Sequence, residues 1–104
     1  MTRDQLLKEI KTRLEAVYGD RLQGVVLYGS EARGDAEADS DIDLLVLLDA
    51  NVELGKDART IIDALYPLVM KAGRPIHAQP VEADVFEAGE FSLYRNARHE
   101  GVRL

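Results

Sequence analysis

The chain has 104 residues, enough for one domain spanning residues 1–104 that buries about 60–70% of the surface exposed on unfolding. A content of 46% hydrophobic and 31% charged residues excludes intrinsic disorder, and the lack of cysteine excludes disulfides and thiolate chemistry. Thirteen basic and nineteen acidic residues give a net charge of -6, which argues against a broad nucleic-acid-binding face. No stretch resembles a signal peptide or membrane span, so we expect a cytoplasmic protein.

The first predicted element is an amphipathic helix from Thr2 to Tyr18. Its apolar positions follow helical spacing and are Leu6, Leu7, Ile10, Leu14 and Val17. Thr2 is a candidate N-cap with Gln5 at the capping-box position, and Gly19 ends the helix. An amphipathic helix packed on a sheet explains this segment without any catalytic role.

Two strands follow. Leu22–Tyr28 is apolar and rich in β-branched residues, and it stops at Gly29. Residues 30–33 predict one helical turn. The second strand, Asp41–Leu48, is almost wholly apolar after Asp43, which is typical of a strand covered on both faces.

A second long helix is predicted from Gly55 to Ala72. Its apolar face is formed by Ile61, Ile62, Leu65, Leu68 and Val69. Pro67 predicts a kink or a split near Tyr66 because proline removes one helical hydrogen bond. A turn at residues 73–75 closes the helix.

The remaining elements are short. Ile76–Val81 predicts an edge strand, because Pro80 has no N–H for a sheet ladder. Two helical pieces, Ala83–Ala88 and Ser92–Glu100, are each followed by a glycine placed like a C-terminal cap. The order of elements indicates an α/β (α+β) fold, with helices packed on a small mixed β-sheet.

The first functional signal is Gly29-Ser30 at the end of the first strand. Glycine lets the backbone approach a phosphate closely, and N–H groups at the start of a helical turn, with the serine hydroxyl, can donate to an anion. A plain turn is the competing interpretation, because Gly-Ser pairs are common in turns.

The second signal is the pair Asp41 and Asp43. Residues two apart on a strand project from the same face, so these carboxylates lie together and repel unless a cation sits between them. Oxygen ligands suit Mg²⁺ or Mn²⁺. An acidic strand end is the alternative for this pair alone, but pairing of neighbouring strands would bring it beside Gly29-Ser30.

Gly29-Ser30, ten further residues and then Asp41-Ile42-Asp43, with Ala32-Arg33-Gly34 in the spacer, resemble the polymerase-beta-like nucleotidyltransferase superfamily. Within it, the chain is similar to the minimal nucleotidyltransferase (MNT) family, small proteins that pair with HEPN-domain partners. The specific part of the resemblance runs from Leu27 to Leu48, and the order of elements extends it over most of the chain.

The resemblance implies a nucleotidyltransferase-like fold and a set of roles. Gly29, Ser30 and Arg33 would bind the phosphates of ATP, and Asp41 and Asp43 would be catalytic ligands of magnesium. It further implies an antitoxin that transfers AMP from ATP to a tyrosine hydroxyl of a HEPN toxin, within a hetero-oligomer and with no membrane partner.

The superfamily pattern also has a third carboxylate on a later strand, which the corresponding strand, Ile76–Val81, lacks. His77 is therefore a candidate general base, and Glu82 or Asp84 could approach from the end of the strand. A solvent-facing His77 is the alternative. If no proton acceptor is present, the chain would be a weak or inactive nucleotide-binding antitoxin that neutralises its partner by complex formation.

The C-terminal segment is basic, with Arg95, Arg98 and Arg103. A solvated face is one interpretation, and a docking surface for the partner, with Phe91, Leu93 and Tyr94 as apolar anchors, is the other. A polymerase or tailing enzyme fits poorly, because the acidic chain carries no module that grips a nucleic-acid strand.

Overall fold

The computed structural model describes residues 1–37, 40–49 and 51–104. It contains five α-helices in these ranges: α1 (Arg3–Tyr18), α2 (Ser30–Arg33), α3 (Leu54–Ala72), α4 (Ala83–Ala88) and α5 (Ser92–Glu100). The strands there are β1 (Leu22–Tyr28), β2 (Ile42–Leu48), β3 (Ile76–Glu82) and β4 (Val102–Arg103), and a 3₁₀ turn covers Gly19–Arg21. Every predicted element is confirmed within one residue at each end, whereas β4 was not predicted.

The four strands form one mixed sheet in the order β3-β2-β1-β4. Strands β1 and β2 are antiparallel, with Tyr28 opposite Asp43, whereas β2 and β3 are parallel, with Asp43 opposite His77. Strand β4 pairs antiparallel with the other edge of β1. The mixed sheet and the edge position of β3 are therefore confirmed.

Helices cover both faces of the sheet, but unequally. The long helices α1 and α3 pack on one face, where the main core contains Leu14, Leu27, Leu44 and Leu65. The short helices α4 and α5 pack on the other face through Phe86 and Ala97. Strand β2 is fully buried from Leu44 to Leu48, as its apolar run predicted.

The N-terminus of α1 has the predicted capping box. The Gln5 N–H donates to the Thr2 hydroxyl over 3.1 Å, and the Thr2 N–H donates to the Gln5 side-chain oxygen over 2.8 Å. The predicted apolar faces are slightly too wide, because Val17 is 48% exposed and Ile62 58% exposed. Both lie at the edge of their helical stripe, where packing on the sheet leaves them to solvent.

Helix α3 continues through Pro67, so of the two predicted outcomes at this residue the split is wrong, and the kink stays a prediction. Proline at this position removes the hydrogen bond to the carbonyl of Asp63. Residues 63 and 67 are both exposed, so water can bond to the freed carbonyl and the helix tolerates the loss.

The tail depends on Gly101, which ends α5 with an ordinary φ of -77°. A Cβ at this residue would lie 2.9 Å from the Leu27 carbonyl oxygen and 2.8 Å from Val26 Cγ1. Glycine is therefore needed for close approach to β1, which lets the next residues pair with it as β4. Within the described ranges, no helix combines the length and apolar character required to cross a membrane.

Candidate active site

The predicted site residues meet at one end of the sheet. Tyr28, Asp43 and His77 are consecutive partners across β1, β2 and β3, so their side chains form a row on one face. This is the face that α4 and α5 cover, but Asp43 remains partly exposed and His77 is exposed. The short helices thus leave this end of the face open to a ligand.

Gly29 packs directly against the Asp43 carboxylate. Its φ of 74° and ψ of -155° belong to a region that essentially only glycine adopts. A Cβ at Gly29 would lie 2.6 Å from Asp43 Oδ2. The glycine thus permits the strand-to-helix turn and leaves space for the carboxylate, so the two predicted motifs form one site.

The turn after Gly29 is closed by backbone hydrogen bonds. The Arg33 N–H donates to the Gly29 carbonyl and the Asp35 N–H to the Ser30 carbonyl, each over 3.1 Å. Ser30 is partly buried at the start of α2. The Arg33 side chain is half-exposed, with Nε 3.5 Å from Asp35 Oδ2, so its guanidinium is accessible to an anion.

Asp41 and His77 are in direct contact. His77 Nε2 lies 3.0 Å from Asp41 Oδ2, and their side chains are 63% and 53% exposed, respectively. In the tautomer that donates the Nε2 proton to Asp41, Nδ1 of the imidazole is left as an acceptor. The histidine therefore lies beside Asp41 at the candidate site, and it is also solvent-facing, so its role as a general base stays a prediction.

The electrostatics of Asp43 reflect the same neighbours. Burial raises the pKa of the Asp43 carboxyl above its usual value, and the nearby Asp41 carboxylate raises it further, whereas His77 and Arg33 lower it. A carboxylate that is costly to ionise gains most from a cation beside it. The electrostatics are therefore those of a site suited to positive charge.

The sequence left open an approach by Glu82 or Asp84, and the sheet register excludes it. Glu82 pairs with Leu48, at the far end of β2 from Asp43. Five residues of strand separate Glu82 from His77, or roughly 16 Å at the usual rise per residue. Asp84 follows in α4, beyond the same end, so neither carboxylate reaches the site.

Two residues that the sequence did not single out support the site. Glu31, in α2, is buried, and its carboxylate accepts from Arg74 Nη2 at 2.9 Å and from Arg3 Nε at 2.6 Å. The Arg74 hydrogen bond is the largest cause of the lowered pKa of Glu31. In the sequence, Glu31 lies in a short turn and Arg74 in a Gly-Arg-Pro turn, and both patterns predict solvent exposure.

The donor set suits a magnesium-type ion held partly by a substrate. Within residues 1–37, 40–49 and 51–104, no three His, Asp or Glu side chains converge on one cation position. Asp41 and Asp43 offer two carboxylates, and Mg²⁺ is commonly held by one or two carboxylates together with waters and substrate phosphates. The residues therefore fit the ion when a phosphate ligand completes its shell.

The basic C-terminal segment is partly structural. Arg95 Nη1 donates to the Gly89 carbonyl at 2.8 Å and Arg98 Nη1 to the Glu87 carbonyl at 3.0 Å, so both bind the C-terminal end of α4. Arg103 Nη1 lies 3.3 Å from a Glu87 carboxylate oxygen. These contacts favour the interpretation of a locally paired basic face.

The candidate docking anchors lie beside this face. Phe91 is 57% exposed and Leu93 is 42% exposed, whereas Tyr94 is partly buried. The Tyr94 ring packs edge-on against Phe91 and at a tilt against Phe86. Two of the three predicted anchors are thus exposed apolar side chains.

Comparison with known proteins identifies the family of this chain. The family model described as "Nucleotidyltransferase domain" matches residues 4–101. A protein of Methanocaldococcus jannaschii named "Putative protein adenylyltransferase MJ0604" is 31% identical over 97% of this chain and 96% of its own. A second from the same organism, "Putative protein adenylyltransferase MJ0141", is 41% identical over 42% of this chain and 44% of its own.

Two solved structures share the fold. A toxin–antitoxin crystal structure with AMP-PNP has a TM-score of 0.67 at 18% identity, covering 92% of this chain and 69% of that one. A mutant of the toxin–antitoxin MntA–HpeT has a TM-score of 0.62 at 16% identity, covering 100% and 72%. The family match spans nearly the whole chain and includes Gly29-Ser30 and the Asp41/Asp43 pair, so the chain belongs to the nucleotidyltransferase domain family, as its resemblance to the minimal nucleotidyltransferases predicted.

Proposed function

We propose that this protein is an antitoxin that transfers AMP from ATP to a tyrosine hydroxyl of a HEPN-domain toxin. The observation that carries the proposal is the packing of the Gly29 backbone on the Asp43 carboxylate, beside Asp41 and His77. The names of the Methanocaldococcus relatives support protein adenylylation, and the toxin–antitoxin structures support the biological setting.

Each site residue has a role in this proposal. The triphosphate is bound by the Gly29 backbone, the Ser30 hydroxyl and the Arg33 guanidinium. Because the protein has a net charge of -6, the negative charge of the triphosphate must be offset by groups at the site. Asp41 and Asp43 would hold Mg²⁺ or Mn²⁺. The metal, when bound, would offset the negative charge of the phosphates and of the leaving pyrophosphate.

The transfer exchanges one bond for another at the α-phosphorus. The acceptor oxygen forms a bond to this phosphorus as the bond to the bridging oxygen breaks, and pyrophosphate leaves with the electron pair of that bond. The acceptor loses its proton in the same process. His77 Nδ1 accepts this proton, while Asp41 holds the Nε2 proton and orients the ring.

The partner binds, in this proposal, beside the open end of the sheet. Phe91 and Leu93 are exposed apolar side chains next to a basic, locally paired face. Aromatic and apolar anchors surrounded by polar residues are typical of protein–protein interfaces. Such contact would place an acceptor side chain near the site within a hetero-oligomer.

The test is transfer of labelled AMP. The protein is incubated with ATP labelled on the α-phosphate, with Mg²⁺ or Mn²⁺ and with the product of the neighbouring gene. The adduct is then located by mass spectrometry. Asp43→Asn should abolish labelling, whereas Asp49→Asn, at the opposite end of the same strand and exposed, should leave it unchanged. The absence of labelling with every nucleotide and metal, or equal labelling by both variants, would refute the proposal.

A second candidate function is neutralisation by complex formation without transfer. The observation that favours it is that no carboxylate from the end of β3 reaches Asp41 and Asp43, since Glu82 is at the far end of the strand. This candidate predicts that the double variant Asp41→Ala, Asp43→Ala still binds the toxin and still protects cells. Loss of protection with complex formation retained would exclude it.

A further inference from the structure

In the described part of the chain, the buried charged side chains are two carboxylates, Glu31 and Asp57. Glu31 borders the candidate site. The Glu31 side chain is 5% exposed and receives hydrogen bonds from Arg74 and Arg3. A buried carboxylate is stable only when it is paired and hydrogen-bonded. Glu31 therefore holds α2 against the start of α1, which carries Arg3, and against the turn that carries Arg74.

Arg74 connects this carboxylate to the other half of the site. Its Nη2 donates to Glu31 Oε2 at 2.9 Å and its Nε donates to the Ser40 carbonyl at 2.9 Å. Its side chain is only 12% exposed. The next residue, Pro75, accepts from the Ile42 N–H at 2.9 Å, so the same connection also fixes the start of β2.

The three segments joined in this way are those that carry the candidate site. Glu31 follows Gly29 and Ser30, Ser40 precedes Asp41, and Arg74 lies three residues before His77. The Arg74 guanidinium thus fixes the phosphate-binding turn (residues 29–33) relative to Asp41, just before β2, and to His77.

We infer that Arg74 and Glu31 are positioning residues that set the separation of the phosphate-binding turn from the Asp41/Asp43 strand. The inference rests on the proposed nucleotide-binding function and extends it to two residues that have no role in binding the nucleotide in that proposal. The planar fork of arginine makes the two bonds at once, whereas lysine offers a single point charge and cannot bridge Glu31 and Ser40 in the same geometry.

The fold provides a matched control at its other end. Asp57 is equally buried and pairs with Arg21, with Nη1 to Oδ1 at 3.1 Å and Nη2 to Oδ2 at 3.2 Å. Arg21 precedes β1 and Gly29 follows it, which separates the two clusters by the length of that strand, roughly 20 Å. Both are arginine–carboxylate pairs with a buried carboxylate. They differ in their distance from the site, and Arg21 is 40% exposed whereas Arg74 is 12% exposed.

The experiment compares Arg74→Lys with Arg21→Lys. The dissociation constant of AMP-PNP with Mg²⁺ is measured by calorimetry, and the melting temperature of each variant is recorded. Both substitutions should lower the melting temperature, but only Arg74→Lys should weaken nucleotide binding, by about 10–100-fold, the effect usual for groups that orient metal ligands. Equal dissociation constants for the two variants would overturn the inference.

A milder pair covers the case in which a lysine variant fails to fold. Glu31→Gln keeps the side-chain shape and removes the charge, and Asp57→Asn does the same at the other end. Glu31→Gln should weaken AMP-PNP binding and Asp57→Asn should not. Equal effects of the two would again reduce the role of Glu31 to stability.

Amide hydrogen exchange supplies a readout that needs no nucleotide. Arg74→Lys should speed exchange at the Ile42 and Arg33 amides, which are hydrogen-bonded in the segments that Arg74 joins, and Arg21→Lys should not. If the wild-type protein bound no nucleotide, the proposed function would fail, and this measurement would still decide the positioning role. Unchanged exchange at both amides would overturn it.

Discussion

Replacing Gly29 with alanine tests the geometry on which the site depends. The new Cβ would lie 2.6 Å from Asp43 Oδ2, so the carboxylate must retreat by about 1 Å to reach ordinary van der Waals contact. The backbone conformation, with φ 74° and ψ -155°, adds strain of about 1–3 kcal/mol for any residue with a side chain. The melting temperature should therefore fall by roughly 5–20 °C.

Activity should fall much further than this loss of stability requires. A displacement of about 1 Å at a reacting centre can cost about 100-fold in rate. We expect Gly29→Ala to lower AMP transfer to the partner by at least about that factor, measured below the melting temperature, where the variant is folded. Nucleotide affinity, measured by calorimetry with AMP-PNP and Mg²⁺, should weaken as well, because Asp43 no longer lies in place.

Gly19→Ala is the matched control. Gly19 has a similar backbone conformation, with φ 55° and ψ -129°, but a Cβ added there would meet nothing within 4 Å, and Gly19 precedes β1 whereas Gly29 follows it. The Gly19 variant should lose comparable stability and keep its transfer rate within about twofold, since distant sites act independently. Equal transfer rates for the two variants would refute the role of the Gly29–Asp43 contact.

Other contacts of the site and the core lead to three further predictions. His77→Asn should slow AMP transfer by about 100–10,000-fold with little change in KM for ATP. His77→Asp should be faster than His77→Asn, because a carboxylate can also accept the proton. Steady-state kinetics with the partner measures both rates. The pKa of Glu31 is lowered in the folded protein, so its ionised form stabilises the fold fully above about pH 4.3, and this contribution is lost as the pH falls through the lower, folded-state pKa. The free energy of unfolding, measured by urea titration below about pH 5, should therefore fall less steeply with decreasing pH in Glu31→Gln than in the wild type. Leu65→Ala should cost about 2–5 kcal/mol in urea titration, whereas Ile62→Ala, on the exposed side of the same helix, should change stability by about 0.5 kcal/mol or less.

Sequence periodicity predicted the elements of the fold because the packing that stabilises them is local. The spacing of Leu6, Ile10 and Leu14 fixes one face of α1, and the capping residues Thr2 and Gln5 fix its start, as the structure confirms. Strand β2 was recognised because its continuous apolar run is buried on both faces. How much of a helical face is buried depends on the sheet that it packs against and not on local sequence. Ile62 was therefore assigned to the apolar face, although the sheet does not cover it.

The site was predictable only where its chemistry is concentrated in one motif. Gly29 and Asp43 lie fourteen positions apart, and the antiparallel register of β1 and β2 brings them into contact. Glu31 and Arg74 are 43 positions apart, and no local pattern marks Glu31 as buried or pairs it with Arg74. A buried ion pair depends on where two distant turns meet, which only the assembled sheet determines.

The register also gives His77 a meaning that its sequence context did not. It lies opposite Asp43 and in contact with Asp41, on the strand to which the resemblance assigns the superfamily's third carboxylate. An imidazole at this position adds no negative charge, whereas a carboxylate would. Without bound nucleotide, the protein therefore attracts a cation less strongly. The phosphates of the nucleotide must then supply more of the ligands of the metal. We therefore expect metal and nucleotide to bind together, with the imidazole left free to accept a proton instead of being occupied as a ligand.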